Sequence, residues 1–272
     1  MNPELINNLV KNALIEDIGS GDITSELTIP KEQKSKFRII AKEDFILCGK
    51  EFVLQSFEQV GEIDVSFNFK DGDEVKKSDI IIEGQGVTRN ILLAERVALN
   101  FLQYLCAIST LTKQYVLLAK PHGCEILDTR KTLPLYREAA KYAVLVGGGK
   151  NHRIRLDDQI LIKDNHIAAS GGVKKAIDKC KGKNLKIEVE CETLEQVSEA
   201  LNSSPDIIML DNMDMNSIKN SLDLIKGKSL VEVSGNISLA NVEEIAKLGA
   251  DCISVGKITH SVRAVDISLE VL

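Results

Sequence analysis

The stretch "LKIEVECETLEQVSEALNSSPDIIMLDN", residues 185–212, has the pattern of a strand, a helix and a second strand. Its second strand, "DIIMLD", is a continuous apolar run, which is typical of a strand buried on both faces of a parallel sheet. Between the strands, Thr193 and Gln196 have the spacing of a capping box at the start of a helix. The stretch therefore predicts a strand–helix–strand unit in a parallel sheet that helices cover.

The same pattern repeats on both sides of this unit. Short, mostly apolar segments recur at "EILDT", "QILIKD", "LVEVSG" and "CISVGK", with helical patterns between them. One of these helices has Asp214 as a candidate N-cap and Gly227 as its candidate end. Six clear strands are too few for a complete eight-stranded barrel. A doubly wound open sheet remains an alternative, but the first strand is not followed by GxGxxG, so a dinucleotide site has no support.

The first part of the chain has a different character. Residues 4–15 carry apolar side chains at helical spacing, residues 37–91 read as short strands and hairpins, and a second helical pattern runs from Leu92 to about Lys120. These patterns predict a small α+β domain over residues 1–105, followed by the strand–helix repeats.

Composition excludes several classes of protein. The 272 residues are 44% hydrophobic and 27% charged, with a formal net charge of −6 and no block of like charges. This profile predicts a soluble globular protein without a surface for nucleic acid or anionic lipid. No signal peptide and no apolar run of about 18 residues, the length that spans a bilayer, are recognisable. The six scattered cysteines indicate reduced thiols in the cytoplasm, and neither CxxC nor HExxH occurs.

Polar residues stand where each predicted strand ends. In a barrel of alternating strands and helices the carboxyl ends of all strands meet on one face, where active sites lie. One cationic strand end is adequately explained as a solvated loop, but a polar residue at every strand end predicts a single pocket. The residues concerned are Arg130, Lys131, Lys163, Asp164, Glu190, Asp211, Ser234, Gly235, Asn236, Gly256 and Lys257.

These residues fall into three chemical groups. The cationic group suits a ligand with several negative charges and consists of Arg130, Lys131, His152, Arg153 and Lys163. The acidic pair, Glu190 and Asp211, can bind Mg²⁺, hold ribose hydroxyls or stabilise a developing positive charge. The third group, in "SGNIS" and "VGKI", offers backbone N–H groups to an anion.

For single residues, a purely structural role remains an alternative to a role in ligand binding. Glu190 can simply pair with a lysine, and His152 can be a hydrogen-bonded structural histidine, as can His166. The glycines of "GGGKNHR" can end the preceding helix, although three in a row also permit a close backbone approach that presents His152 and Arg153.

Together and in order, a set of motifs resembles the quinolinate phosphoribosyltransferase family. The motifs are "EDIGSGDITS", "AERVALNFLQYLCAIST", "ILDTRKT", "KYAVLVGGGKNHR", "LIKDNHI", "IEVECETLEQ", "IIMLDN", "EVSGNI" and "ISVGKITHS". They span nearly the whole chain. The resemblance implies an N-terminal α/β sandwich domain over residues 1–105, to which residues 265–272 can return. It also implies an incomplete, seven-stranded α/β barrel over residues 106–264.

The resemblance also implies a site, an assembly and a reaction. It predicts transfer of a phosphoribosyl group from phosphoribosyl pyrophosphate to quinolinate, with loss of CO₂, to give nicotinate mononucleotide for NAD biosynthesis. The assembly is a homodimer or a higher oligomer in which Arg96 is lent to the neighbouring subunit. The implied substrate contacts are Arg96, Thr129, Arg130, Lys131, His152, Arg153, Lys163, Glu190, Asp211, Ser234, Gly235, Asn236, Val255, Gly256 and Lys257.

Within that set the resemblance distributes the roles by charge. Arg130, Arg153 and Arg96, helped by His152, would hold the dicarboxylate, and the two glycine turns would take the ribose phosphate. The catalytic roles fall on Lys131, Lys163, Glu190 and Asp211. Mg²⁺ would lie near Glu190 and Asp211, held largely through substrate and water.

Two positions depart from the family pattern. Leu135 and Arg155 stand where the family often has glycine. A non-glycine residue favours an ordinary backbone conformation, so these two loops are expected to differ in shape.

Three other functions are alternatives to phosphoribosyl transfer to quinolinate. A paralogous phosphoribosyltransferase of the same fold would act on a different base, and the intact "DTRKT", "NHR" and "IKDNH" motifs argue for quinolinate instead. A Schiff-base aldolase would use Lys163, whose cationic and anion-binding neighbours do not suit that role. A phosphate-binding barrel without catalysis would bind phosphoribosyl pyrophosphate but not turn it over.

Overall fold

The computed structural model describes residues 1–272. In chain order its elements are α1 (Pro3–Ile18), α2 (Ile23–Thr28), β1 (Lys34–Ala41), β2 (Phe45–Ile46), α3 (Lys50–Glu58), β3 (Ile63–Phe67), β4 (Glu74–Val75), β5 (Ile80–Val87) and α4 (Thr88–Ala119). After a 3-10 turn (Lys120–His122) come β6 (Glu125–Leu127), α5 (Arg137–Val146), β7 (Ile160–Ile162), α6 (Asp164–Ser170), α7 (Val173–Cys180), β8 (Ile187–Cys191) and α8 (Leu194–Leu201). The chain ends with β9 (Ile207–Asp211), α9 (Met215–Ile225), β10 (Leu230–Ser234), α10 (Val242–Lys247), β11 (Cys252–Ser254), α11 (Lys257–His260) and β12 (Ile267–Val271).

The chain divides into two compact units. The first comprises Met1–Leu111, Glu138–Gly147 and Val262–Leu272, and the second comprises Thr112–Arg137 and Gly148–Ser261. The sequence boundaries, 1–105 and 106–264, differ from this division chiefly in assigning helix α5 to the barrel. Nothing in the apolar pattern of α5 distinguishes it from the helices that cover the parallel sheet.

An antiparallel sheet with strand order β12-β1-β5-β3 forms the centre of the first unit. Phe37 on β1 packs against Phe57 on α3 with ring centroids 5.2 Å apart. Gly84 on β5 makes room for this contact, because a Cβ there would lie 2.5 Å from the Phe37 ring. The last strand, β12, pairs with β1, and Arg38 forms a 2.8 Å ion pair with Glu270 across the two strands. The end of the chain therefore returns to the first unit.

Helix α4 is long and apolar. Together with the turn after it, the helix spans Thr88–His122 and has the length and composition that could cross a membrane. The expectation that the sequence contains no such segment is therefore wrong for this helix. In this structure 61% of its most apolar window is buried within the protein. A core helix of a soluble protein shows this combination, since its apolar face is covered by other parts of the same chain.

A parallel sheet with strand order β6-β11-β10-β9-β8-β7 forms the second unit, and all six strands are those that the sequence predicts. Beside β6, where a seventh strand would pair, the chain forms a single isolated parallel β-bridge between Leu127 and Lys150. Two predicted caps are confirmed, since the side chains of Thr193 and Asp214 accept hydrogen bonds from backbone N–H groups at the starts of α8 and α9. The predicted end of α9 is off by one residue, because Lys226 takes the left-handed conformation just before Gly227.

The connection between β6 and α5 contains an unusual backbone. Leu135 has φ +62° although it is 87% exposed, so no burial of its side chain compensates the left-handed conformation. The expectation of an ordinary backbone at this position is therefore wrong: the loop keeps a conformation that glycine adopts without strain. Arg155, the other departure, has no positive φ.

We expect Leu135→Gly to raise the free energy of unfolding by up to about 1 kcal/mol. Left-handed strain costs a non-glycine residue roughly 1–2 kcal/mol, and the extra freedom of glycine in the unfolded chain offsets part of the gain. Chemical denaturation of both proteins measures the difference. Leu156→Gly is the matched control, because Leu156 is also exposed but lacks a positive φ, and it should lose stability. Equal losses in the two variants would contradict strain at Leu135.

Candidate active site

A cavity of about 340 Å³ opens among the carboxyl ends of the parallel strands in the second unit. Its volume lies within the range of small-molecule sites. The lining residues are Thr129, Arg130, Lys131, His152, Arg153, Leu161, Lys163, Glu190, Met209, Asp211, Ser234 and Ser254. Nine of them belong to the predicted site, so residues more than 100 positions apart do meet in one cavity. Four of the lining side chains are lysine or arginine and only two are carboxylates, which makes the cavity positive in an acidic chain.

The two arginines of the cavity carry unused hydrogen-bond donors. Arg130 follows β6, and Arg153, only 9% exposed, lies in the loop after the Lys150 bridge. The Nε atoms of both guanidinium groups are buried without a hydrogen-bond partner. Buried donors without partners are rare in folded proteins, and a bound carboxylate or phosphate would satisfy them.

The acidic pair lies at the same mouth. Lys163 Nζ is 2.6 Å from Glu190 Oε2, and the Glu190 side chain is only 11% exposed. The pairing with lysine considered from the sequence therefore exists, and both members line the cavity. Asp211, on the next strand, accepts a 2.6 Å hydrogen bond from the Asn212 side chain. Because carboxylate oxygens are the ligands that Mg²⁺ prefers, this donor set fits the expected metal.

His152 is fixed by the protein through both ring nitrogens. The backbone N–H of Arg153 donates to His152 Nδ1 at 2.7 Å, so Nδ1 carries no proton. Nε2 lies 3.1 Å from Glu188 Oε2 and must therefore be the donor of that contact. Asp128, which is fully buried, accepts a 2.9 Å hydrogen bond from the backbone N–H of His152. The ring lines the cavity, but its two nitrogens are already engaged.

Two buried glutamates lie one layer below the mouth. Glu188 and Glu232 precede Glu190 and Ser234 by two residues on the same strands, so each pair points to the same face of the sheet. The side chains of Glu188 and Glu232 are 0% and 1% exposed, and both approach His152 Nε2. Burial, and then the charge of Glu188, raises the pKa of Glu232 to about 7. Glu232 is therefore a carboxyl group that is neutral in slightly acidic solution.

The glycine turns are placed differently. Gly235 and Asn236 follow β10 but do not line the cavity; both have positive φ, and a Cβ on Gly235 would overlap the side chain of Asn212. Val255 is buried, and its N–H donates to the carbonyl of Leu127. Gly256 lies beside the cavity, because a Cβ there would be 3.3 Å from the side chain of Lys131.

Four further residues named in the sequence analysis lie outside the cavity lining, and one of them, Asp164, begins helix α6. Lys257 begins the short helix α11. Arg96 is exposed on α4 and belongs to the first unit. His166 caps α6, since its Nδ1 accepts a 3.0 Å hydrogen bond from the backbone N–H of Lys163.

Sequence reasoning missed several residues of this region. They are Asp128, Gln159, Leu161, Glu188, Met209, Asn212, Glu232 and Ser254. A signal was present for the two glutamates: a charged residue inside a strand that both sheet faces bury needs a partner. Counting back two residues from each predicted strand end reaches both of them.

Comparison with known proteins identifies the family. The model of the quinolinate phosphoribosyl transferase C-terminal domain matches residues 108–270, and that of the N-terminal domain matches residues 22–106. The chain belongs to the quinolinate phosphoribosyltransferase family.

Relatives and solved structures agree with this assignment. A probable nicotinate-nucleotide pyrophosphorylase (carboxylating) of Methanocaldococcus jannaschii is 44% identical over 97% of this chain and 96% of its own. The chloroplastic nicotinate-nucleotide pyrophosphorylase (carboxylating) of Arabidopsis thaliana is 42% identical over 97% of this chain and 82% of its own. The structure of the nicotinate-nucleotide pyrophosphorylase from Francisella tularensis matches with a TM-score of 0.96 and 40% identity, over 100% of this chain and 98% of that one.

We expect Glu232→Gln to stabilise the protein above pH 7. Because the folded-state pKa of Glu232 is raised, the folded protein holds a proton that the unfolded chain releases near pH 4.5, and stability is lost as pH rises from there through about 7. The groups facing Glu232 are Glu188, His152, Ser254 and Cys252. Glutamine stays neutral, so at pH 8 the variant should be more stable by on the order of 2–3 kcal/mol.

Denaturant unfolding at pH 5 and pH 8 measures this effect. Glu16→Gln, an exposed glutamate on α1, is the control and should change stability little at either pH. A Glu232→Gln variant that is less stable than the parent protein at pH 8 would show that the ionised carboxylate is the stabilising form.

Proposed function

We propose that the protein transfers the phosphoribosyl group of phosphoribosyl pyrophosphate to quinolinate and releases CO₂ and pyrophosphate, forming nicotinate mononucleotide for NAD biosynthesis. The observation that carries the proposal is the pair of buried, unpartnered guanidinium donors on Arg130 and Arg153 in a positive cavity. Quinolinate has two adjacent carboxylates, which two arginines can bind in parallel. The family membership and the full-length similarity to carboxylating pyrophosphorylases support the same reaction.

The side chains of the cavity would act by position and charge. Arg130 and Arg153 would orient the dicarboxylate so that its ring nitrogen faces the ribose carbon, and Lys131 and Lys163 would lie against the pyrophosphate or the neighbouring carboxylate. Attack by the ring nitrogen breaks the bond to pyrophosphate through an oxocarbenium-like state that Glu190 and Asp211 can stabilise by charge. The ring nitrogen is then cationic, and its charge stabilises the carbanion left on the adjacent ring carbon when the carboxylate there departs as CO₂. That carbon then takes up a proton from solvent. No covalent nucleophile is required.

The metal, the assembly and the compartment belong to this proposal as well. Glu190 and Asp211 would hold Mg²⁺, partly through water, and the ion would neutralise charge on the leaving pyrophosphate. The protein would act as a homodimer or larger assembly, with Arg96, exposed on the first unit, completing a neighbour's site. The turns at Gly235–Asn236 and Val255–Lys257 would bind the ribose phosphate. Six free thiols suit a reducing compartment such as the cytoplasm.

The direct test is product formation from defined substrates. Purified protein is incubated with Mg²⁺, phosphoribosyl pyrophosphate and quinolinate, nicotinate or nicotinamide in separate reactions, and nucleotide and CO₂ are measured. We expect turnover with quinolinate, with one CO₂ for each nicotinate mononucleotide. Turnover with nicotinate or nicotinamide in place of quinolinate would indicate a paralogue for another base, and binding of phosphoribosyl pyrophosphate without turnover with any base would indicate a binding protein.

We expect Arg130→Lys to keep the fold but to weaken the use of quinolinate by roughly 1.5–3 kcal/mol, about 10- to 150-fold in kcat/KM. Lysine keeps the charge but loses the planar fork that binds a carboxylate with two parallel hydrogen bonds. Steady-state kinetics measures the change. Arg155→Lys is the matched control, because Arg155 is exposed and pairs with Asp157 instead of lining the cavity. Wild-type kinetics in Arg130→Lys would remove Arg130 from the site.

We expect mixtures of Arg96→Ala and Asp211→Ala proteins to regain activity. If Arg96 completes the neighbour's site, each mixed dimer holds one intact site, so equal mixing should restore about a quarter of wild-type activity. The measurement is the rate after mixing under conditions that exchange subunits, with each variant alone as the control. Verified mixed dimers without activity would count against a shared site.

A further inference from the structure

A chain of hydrogen bonds runs under the cavity and ends on Arg153. The Gln159 side chain donates to Glu188 Oε2 at 2.7 Å, and the backbone carbonyl of Gln159 accepts from Arg153 Nη1 at 3.2 Å. Glu188 also accepts from His152 Nε2. The buried carboxylate of Glu188 therefore anchors, through Gln159, the residue that touches the guanidinium.

Arg153 needs such an anchor for an electrostatic reason. Burial lowers the pKa of the Arg153 guanidinium, and the charge of Arg130 lowers it further, while Glu188 and Asp158 act in the opposite direction. Two guanidinium groups that face one cavity repel each other, and each has a long side chain with many rotamers. Without a fixed partner, Arg153 would turn away from Arg130 and lose its orientation towards a ligand.

We propose that Glu188 and Gln159 are positioning residues that fix the Arg153 guanidinium for a dicarboxylate ligand. The inference rests on the proposed function, in which Arg153 binds a carboxylate of quinolinate. Glu188 does not touch the substrate: it fixes the Gln159 side chain, and the Gln159 carbonyl then holds one guanidinium nitrogen. The guanidinium keeps its buried Nε without a protein partner, available to the ligand.

A metal ion at this position is the main alternative. Ligand atoms of His152, Glu188 and Glu232 lie within 4.8 Å of one another. Glu188 already accepts hydrogen bonds from both Gln159 and His152, and the other ring nitrogen of His152 accepts from Arg153 N–H. Since protein donors satisfy Glu188 and His152, hydrogen bonding accounts for the arrangement, and metal content becomes an outcome of the test.

The experiment uses the whole chain and two variants at Gln159. Gln159→Ala keeps the backbone carbonyl but removes its link to Glu188, and Gln159→Glu keeps the size of the side chain but cannot donate to Glu188. We expect each to raise the KM for quinolinate about 10-fold, the value of one hydrogen bond to a charged group. The KM for phosphoribosyl pyrophosphate and kcat should stay close to those of the parent protein, whereas the thermal midpoint should fall, because the buried Glu188 carboxylate loses a hydrogen-bond donor.

A double-mutant cycle with Arg153→Lys shows whether Gln159 acts through Arg153. If it does, Gln159→Ala should change the KM for quinolinate by less than about 2-fold in the Arg153→Lys background, because the guanidinium it positions is already absent. Glu16→Gln, on the exposed face of α1, is the control for unrelated changes of charge.

The outcomes separate this inference from the proposed function. Wild-type protein that does not turn over quinolinate would overturn both. Wild-type turnover together with unchanged KM values in Gln159→Ala, equal increases for both substrates, or a full effect in the Arg153→Lys background would overturn the positioning role alone. Stoichiometric metal in the purified protein that is lost in Glu188→Gln would also overturn it, in favour of an ion site.

Discussion

The repulsion between the guanidinium groups of the half-buried Arg130 and the buried Arg153 is the constraint on which the cavity depends. Arg130 and Arg153 face the same space in an environment where charge interactions are stronger than in water. Carboxylates at two depths offset part of this positive charge. Glu190 and Asp211 lie at the mouth of the cavity, and Glu188 lies below it. The positive charge of the cavity is therefore a small excess over nearby negative charge, which fits a chain that is acidic elsewhere. A ligand with several negative charges would be attracted to such a cavity.

The register of the parallel strands produces the two depths. Residues two apart on a strand share a face, so each strand contributes one side chain at the mouth and another beneath it. On β7 and β9 the deeper residues are the apolar Leu161 and Met209, which line the cavity floor. On β8 and β10 they are Glu188 and Glu232, the two carboxyl groups that meet His152. On these four neighbouring strands the deeper side chains therefore alternate between apolar and acidic.

This layering explains what the sequence could and could not predict. The six strands, the caps at Thr193 and Asp214 and nine of the cavity residues follow from local pattern, capping chemistry and the family motifs. The role of Glu188 depends on which strand pairs with its own and on the distance between its carboxylate and Gln159. Local sequence does not determine that distance. The grouping of α5 with the first unit is equally non-local, since an apolar helix face fits either unit. Leu135 shows the reverse case, where the backbone is left-handed although leucine does not favour that conformation.

The protonation of Glu232 then bears on the charge of the whole cavity. Replacing buried ionisable groups by apolar ones commonly stabilises a protein, so a glutamate with a pKa raised to about 7 is costly in the core. The neighbours of Glu232 explain why its proton is retained: the side chain is buried, and the Glu188 carboxylate lies on the same side of His152. A neutral Glu232 adds no negative charge beneath the four lysine and arginine side chains that line the cavity. The raised pKa of Glu232 is therefore the electrostatic consequence of placing two glutamates in one buried layer.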